Sequence, residues 1–126
     1  MSEDQWEIYQ TDEVASWMDL LRRDDPDAAE KVEAAVDVLS EYGPTLGRPL
    51  VDTLTGSSLA NLKELRPRQT TIRVLFVFDP WRSAILLIAG DKAGQWKTWY
   101  DRAIPRAEEL YAVYLKERAR QEEEGR

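Results

Sequence analysis

The sequence predicts an α+β fold in which a short N-terminal strand and a helical hairpin pack on an antiparallel sheet. Two stretches with helical spacing of apolar residues fill the first third of the chain, three strand-like runs follow in residues 59–89, and a further helical stretch comes last. Because only short polar turns separate the three runs, we expect consecutive antiparallel strands. The predicted order of elements is therefore β-α-α-β-β-β-α.

The first strand and the first helix are short. Trp6–Tyr9 alternates apolar and polar residues enough to form a strand. Thr11 or Asp12 is a suitable cap for a helix that continues through Leu21, in which apolar residues recur at the i, i+3, i+4 and i+7 spacing of one buried face.

The second helix has clear start and stop signals. Asp25 is its predicted N-cap and Pro26 lies in its first turn, where a missing amide proton costs nothing. Gly43 followed by Pro44 ends it. Residues 43–58 then form a long connection, which we expect leucine side chains to hold against the surface of the domain.

The sheet is predicted from three runs of different strength. Leu59–Arg66 is the weakest, Thr71–Phe78 is rich in β-branched and aromatic residues, and Ala84–Ala89 is a continuous apolar run typical of a strand buried on both faces. Asp79–Ser83 has the aspartate and proline of a tight hairpin turn between the last two.

The C-terminal part is predicted as one helix and a tail. Pro105 is expected to open the helix, and the charged residues beyond Lys116 are expected to fray. We therefore expect one domain over residues 1–118 and a charged tail over residues 119–126.

Composition excludes several classes of site. The chain has no cysteine and no histidine, so a disulfide framework, a thiolate metal site and the commonest general base are all excluded. We expect no metal and no cofactor. The acidic N-terminus does not look like a signal peptide, and the apolar runs are too short to cross a bilayer, so a cytoplasmic protein with no membrane partner is expected.

Charge is distributed unevenly along the chain. The formal net charge is −7, but residues 1–61 carry 4 Lys/Arg against 14 Asp/Glu, whereas residues 62–106 carry 9 against 4. The affinity of a protein for nucleic acid depends on its local electrostatic field and not on its total charge. The basic stretch is therefore compatible with a nucleic-acid partner.

Five segments in a fixed order carry a family resemblance. They are YGPTLGRP, LKELR, IRVLFVF, the apolar strand that ends in GDK, and RAIPRAEELY. Together they span residues 42–115, and they resemble the HigB-like (phage Gp49-like) toxins of the RelE/ParE superfamily. The resemblance implies a RelE-like fold and the toxin of a type II toxin–antitoxin pair.

Toxins of this family are usually endoribonucleases (mRNA interferases) that cleave mRNA, often on the ribosome, inhibit translation, and are neutralised by an antitoxin with a helix-turn-helix domain. Carried over by position, the resemblance implies catalytic roles for Arg66, Arg73 and Lys92, and more loosely for Lys97 and Tyr100. The RelE pattern has two lysines before the arginine of the ELR segment. This chain has only Lys63 there, beside Glu64, so the identity of the general base stays open.

The same residue types suit RNA cleavage chemically. Arginine pairs bidentately with phosphate and never loses its proton, and neighbouring cations lower the pKa of a lysine toward that of a useful base. Four further residues are predicted to bind RNA, two as cations and two as stacking platforms: Lys63, Arg68, Trp96 and Trp99.

Simpler interpretations exist for these residues. Arg73 fits an outward-facing position on an alternating strand, Arg66 and Arg68 fit a solvated turn, and the two tryptophans fit a core or a partner surface. Two other functions share the fold: a ParE-like inhibitor of DNA gyrase, and a non-catalytic binding module. Convergence of the cations on one concave face would favour the nuclease.

Overall fold

The computed structural model describes residues 5–125. The helices and strands follow the predicted order with one additional strand, and the α+β fold is confirmed. Their bounds are β1 Glu7–Gln10, α1 Asp12–Asp24, α2 Pro26–Tyr42, β2 Val51–Thr53, β3 Lys63–Leu65, β4 Ile72–Phe78, β5 Ser83–Asp91 and α3 Trp96–Glu124, with a single 3-10 turn at Gly43–Thr45. No helix within residues 5–125 has the length and apolar character needed to cross a membrane.

The five strands form one sheet in the order β1-β5-β4-β3-β2. Strands β2 to β5 pair antiparallel with their neighbours, which includes the predicted three-strand meander. Strand β1 instead pairs parallel with β5. The sheet is therefore mixed, because the helical hairpin lies between β1 and the other strands in the chain and returns the backbone to the opposite edge.

The hairpin helices begin where their capping residues predicted. The Thr11 hydroxyl accepts a hydrogen bond from the Val14 amide at 3.2 Å and donates one to the Leu87 carbonyl at 2.8 Å, so it caps α1 and ties it to β5. The Asp25 carboxylate accepts from the Ala28 amide at 3.2 Å and caps α2. Helix α2 ends at Tyr42, and Gly43 caps it with a φ of 58°, which favours glycine.

Helix α3 corrects the prediction that the last helix opens at Pro105. It begins at Trp96, and Pro105 lies inside it. A proline in a helix removes one backbone hydrogen bond, but Pro105 lies on the exposed side of the helix and the earlier turns bury Ala103 against the sheet. The structure places residues 117–124 in the same helix; their fraying in solution, and the division at residue 118, stay predictions.

The connection after α2 is also more ordered than the sequence suggested. It contains β2, which pairs with β3 at the edge of the sheet. Leu46 and Leu50 pack on one side of the sheet and Leu54 on the other, as predicted.

Two apolar cores cover the two faces of the sheet. One lies beneath α1 and α2 and includes Val14, Leu39, Val74 and Phe76. The other lies beneath α3 and includes Leu62, Leu75, Leu87 and Ala107. Alternate residues of β4 point to opposite faces, so Arg73 lies on the α3 face together with Leu75.

Candidate functional site

A buried carboxylate lies at the centre of the charged residues on the α3 face. Glu64 belongs to β3, where it stands opposite Leu75 of β4, and only 2% of its surface is exposed. An isolated carboxylate would be costly in such a position unless charged donors surrounded it. Three side chains from other parts of the chain surround this one.

Arg66 binds Glu64 through two nitrogens. Its Nε and Nη2 donate to Glu64 Oε2 at 3.0 and 2.8 Å, and Nη2 also donates to Asp52 Oδ2 at 3.2 Å. The hydrogen bond to Glu64 raises the pKa of Arg66 from its ordinary value. Arg66 is therefore held by carboxylates from β2 and β3, in a geometry that leaves Nη1 outside the pair.

Arg73 approaches the same carboxylate from β4. Its Nε lies 3.7 Å from Glu64 Oε1, and Nη1 donates to the Ile72 carbonyl at 2.7 Å. The side chain is only 13% exposed, so Arg73 is not the solvent-facing residue that strand alternation also allowed. Across the ladder it stands opposite Gly90, which has no side chain to compete for the space.

Tyr100 closes the cluster from the first turns of α3. Its hydroxyl donates a short hydrogen bond to Glu64 Oε1. Burial, and then the hydrogen bond to Glu64 and the negative charge of that carboxylate, raise the pKa of Tyr100 to about 12 against a smaller lowering by the adjacent Arg73. The hydroxyl therefore keeps its proton at neutral pH.

Lys92 lies beside this cluster, near two aromatic rings. Its Nζ is 5.6 Å from the centre of the Trp96 ring and 6.0 Å from that of Tyr100. Burial and the nearby positive charge of Arg73 lower the pKa of Lys92 below its ordinary value. An ammonium of this kind loses its proton more readily than a surface lysine does.

An open hollow of about 670 Å³ adjoins the cluster at Arg66 and Arg73. Three arginines line it together with the turn between β3 and β4 and part of the preceding loop: Pro49, Leu50, Arg66, Pro67, Arg68, Gln69, Thr70 and Arg73. The hollow is thus cationic on several sides, and a phosphodiester is the kind of group that such a surface attracts.

The other predicted site residues lie at the periphery. Lys97 is exposed in the first turn of α3 and makes no hydrogen bond or ion pair within residues 5–125. Lys63 donates from Nζ to Thr53 Oγ1 at 2.9 Å. Trp99 packs on Gly90 and against the Tyr100 ring at 5.1 Å between ring centres, whereas Trp96 is 62% exposed. Trp96 is therefore open to a ligand, and Trp99 is largely part of the packing.

Sequence reasoning missed Glu64, the residue on which the cluster converges. The run Leu59–Arg66 was predicted as the weakest strand because Asn61, Lys63 and Glu64 interrupt its apolar residues, and Glu64 was given no other role. The sequence signal that could have identified Glu64 is an acidic residue between Leu62 and Leu65. In the structure both leucines are fully buried. Within the described part of the chain, no set of three or more His, Cys, Asp and Glu side chains is arranged to hold a metal ion.

Comparisons with known proteins agree with the resemblance seen in the motifs. The family described as "Phage derived protein Gp49-like (DUF891)" matches residues 19–112. A Mycobacterium tuberculosis (strain ATCC 25618 / H37Rv) protein named as the candidate toxin HigB3 is 54% identical over 103 residues, which are 82% of this chain and 88% of that protein. A second protein of that organism, named as the candidate toxin HigB2, is 49% identical over 105 residues, or 81% of this chain and 51% of the relative. The aligned part thus spans about half the length of the second relative.

Proposed function

This chain belongs to the phage-derived Gp49-like family, and from this membership and the site geometry we propose that it is the toxin of a type II toxin–antitoxin pair and cleaves mRNA. Two relatives named as HigB toxins support the first part of the proposal. The partners are mRNA, on the ribosome or free, and a cognate antitoxin with a helix-turn-helix domain. The proposed site of action is the cytoplasm.

One observation carries the nuclease part of the proposal. Arg66 and Arg73 come from separate parts of the sheet and its loops and line one open hollow, and Lys92 lies close enough to both arginines for their positive charge to lower its pKa. Fixed cations at a phosphate stabilise the charge that develops on its oxygens in the transition state, and each such donor contributes a factor of about 10²–10³ in comparable sites.

The free edges of both guanidinium groups are available to a phosphate. Within residues 5–125, Nη1 of Arg66 and Nη2 of Arg73 make no hydrogen bond. Within the described residues, the buried side-chain nitrogen that lacks a hydrogen-bond partner is instead Arg73 Nε. We assign Nη1 of Arg66 and Nη2 of Arg73 to the non-bridging oxygens of the scissile phosphate.

The proposed reaction is attack by a 2′-hydroxyl on the adjacent phosphorus. Neutral Lys92 takes the proton from the 2′-hydroxyl, the O2′–P bond forms and the P–O5′ bond breaks. Tyr100 turns from Glu64 to give its proton to O5′. The products are a 2′,3′-cyclic phosphate and a 5′-hydroxyl end, and the reaction needs no metal ion.

The peripheral residues are assigned to the flanking RNA. Arg68 at the rim of the hollow, together with Lys63 and Lys97, contacts neighbouring phosphates. Trp96 stacks on a base, because its ring is exposed and lies next to Lys92. Trp99 acts on RNA indirectly, through its packing against Tyr100.

The test uses the purified chain with a single-stranded RNA in the presence of EDTA. We expect cleavage that yields cyclic-phosphate ends, and none when the attacking nucleotide is 2′-deoxy. Arg73→Ala should abolish cleavage, whereas Arg120→Ala should not, because Arg120 is exposed and pairs with Glu117 at the far end of α3. Intact RNA in every reaction would contradict the nuclease assignment.

A second candidate is inhibition of DNA gyrase or another non-catalytic contact. It is favoured by the internal acids, because Glu64 and Asp52 already neutralise much of the charge of Arg66. Induced expression separates the two candidates. Growth arrest with cleaved transcripts, relieved by co-expression of the cognate antitoxin, supports the nuclease, and arrest with intact transcripts supports the alternative.

A further inference from the structure

We propose that Glu64 is the positioning residue of this site: its buried carboxylate fixes Arg66, Arg73 and Tyr100 and turns the free edges of both guanidinium groups toward the hollow. The inference deepens the proposed nuclease function and rests on it. Glu64 itself does not reach the hollow, since it is 2% exposed and is absent from the hollow's lining.

The two oxygens of Glu64 contact side chains from different elements of the fold. Oε2 accepts both hydrogen bonds from Arg66, and Oε1 accepts from Tyr100 and lies 3.7 Å from Arg73 Nε. One carboxylate therefore joins the segment after β3 to β4 and α3. Because a buried ion pair gives little net stability relative to apolar packing, positioning is the better explanation for an acid here.

Because a guanidinium group is planar and rigid, binding two of its nitrogens also fixes the direction of the third. When Nε and Nη2 of Arg66 are bound to Glu64, the position of Nη1 is fixed by the rigid fork. Arg73 is held on its other side by the Ile72 carbonyl at 2.7 Å, which leaves Nη2 free. A phosphate in the hollow would thus meet two donors already in place, and such preorganisation is what lowers a barrier.

The charge of Glu64 also acts on the two groups that exchange protons. It raises the pKa of Tyr100, and it partly opposes the lowering of the pKa of Lys92 by burial and by the arginines. The groups that face Glu64 or share its field come from five elements or loops: Asp52 of β2, Arg66 after β3, Arg73 of β4, Lys92 between β5 and α3, and Tyr100 of α3.

A role as general base does not fit this arrangement. Both oxygens of Glu64 accept hydrogen bonds from protein donors, and its side chain is buried beneath the cations. A base must lie within hydrogen-bond reach of the proton that it removes. The proposal therefore predicts that Glu64 changes the rate and pH dependence of cleavage without exchanging a proton with RNA.

The experiment compares Glu64→Gln and Glu64→Asp with Glu33→Gln, a matched control whose carboxylate pairs with Arg22 at 2.8 Å on the surface. Glu64→Gln keeps the side-chain volume but removes the charge, so the rising limb of the pH–rate profile, set by Lys92, should move to lower pH. Glu64→Asp keeps the charge but withdraws the oxygens by about one bond, and a displacement of that size costs about 10²-fold in rate with no shift of the limb. Glu33→Gln should match the wild type.

Two-dimensional NMR of the arginine Nε–H groups gives a readout that does not depend on RNA. In the wild type we expect slowly exchanging signals from Arg66 and Arg73, and both Glu64 variants should broaden or move them. Unchanged signals in both variants would overturn the inference, even if cleavage were lost. Failure of the wild type to cleave RNA, with the signals altered as expected, would instead overturn the proposed function and leave the positioning role supported. If Glu64→Gln does not fold, Glu64→Asp alone decides the question by the same signals.

Discussion

Replacement of Arg73 by lysine tests whether the fork geometry of arginine, as distinct from its charge, supports catalysis. Arg73 uses Nη1 on the Ile72 carbonyl at 2.7 Å, directs Nε toward Glu64 at 3.7 Å and leaves Nη2 free. A lysine ammonium keeps the positive charge near Glu64. It is a single centre, however, so it cannot bind the carbonyl and reach the hollow in the same position.

The expected effects on rate and stability differ in size. Loss of one preorganised donor to the phosphate lowers kcat by about 10²–10³, which corresponds to about 2.7–4 kcal/mol of transition-state stabilisation. The folded state loses one neutral-acceptor hydrogen bond while its charge balance is kept, so the free energy of unfolding should fall by only about 1 kcal/mol. Arg73→Ala removes the charge as well and should cost about 1–3 kcal/mol of stability.

Single-turnover cleavage and urea denaturation of the same preparations measure the two quantities. Arg22→Lys is the matched control, because Arg22 binds Glu33 and Asp19 on the exposed surface of the helical hairpin, where a pair contributes little. The reasoning is refuted if Arg73→Lys cleaves RNA at the wild-type rate, or if its loss of rate is matched by an equal loss of folding free energy.

Three further predictions concern the surroundings of the cluster. The pKa of Lys92 lies below its ordinary value, so cleavage should increase as pH rises toward that pKa and the neutral amine accumulates, and Lys92→Met should remove this rise in a pH–rate profile. Trp96→Ala should weaken RNA binding by about 1–3 kcal/mol, measured by fluorescence anisotropy, and leave the unfolding midpoint unchanged because the ring is 62% exposed. Gly90→Ala should lower stability by about 1–3 kcal/mol, since its Cβ would collide with the Trp99 ring, whereas Gly47→Ala has no neighbour within 4 Å and should not.

Local chemistry predicted the front half of the fold well. Thr11 and Asp25 cap the first two helices as expected, and a glycine ends the second. These signals act over a few residues, so the sequence displays them directly. The start of α3 was predicted wrongly because the prediction followed a local signal, Pro105. The helix begins earlier, where Trp99 packs on Gly90, and that contact exists only in the folded sheet.

The cationic residues of the site were predictable as types, but their arrangement was not. Arg66, Arg73 and Lys92 were named from motifs, whereas Glu64 was taken only as one of the polar residues that weaken its strand, since acids are almost never fully buried unless paired. Its burial depends on Tyr100, which lies 36 residues further along the chain. A pairing at that distance leaves no periodic signal, so only the folded structure reveals the acid as the centre of the site.

Helix α3 links the site to the opposite end of the molecule. Its first turns supply Tyr100, and its later turns are held to the β4–β5 hairpin, where the Tyr114 hydroxyl donates to Asp79 at 2.5 Å and the Arg118 guanidinium lies 4.5 Å from the centre of the Trp81 ring. The Asp79 carboxylate in turn accepts from the Ser83 amide at 2.8 Å, so the hairpin and the helix share one buried acid. A continuous helix fixed at its far end has little freedom to rotate about its axis, so contacts outside the cationic cluster help to fix the backbone position of Tyr100 beside Glu64. The site thus depends on two buried carboxylates, one that gathers the cations and one that anchors the helix closing over them.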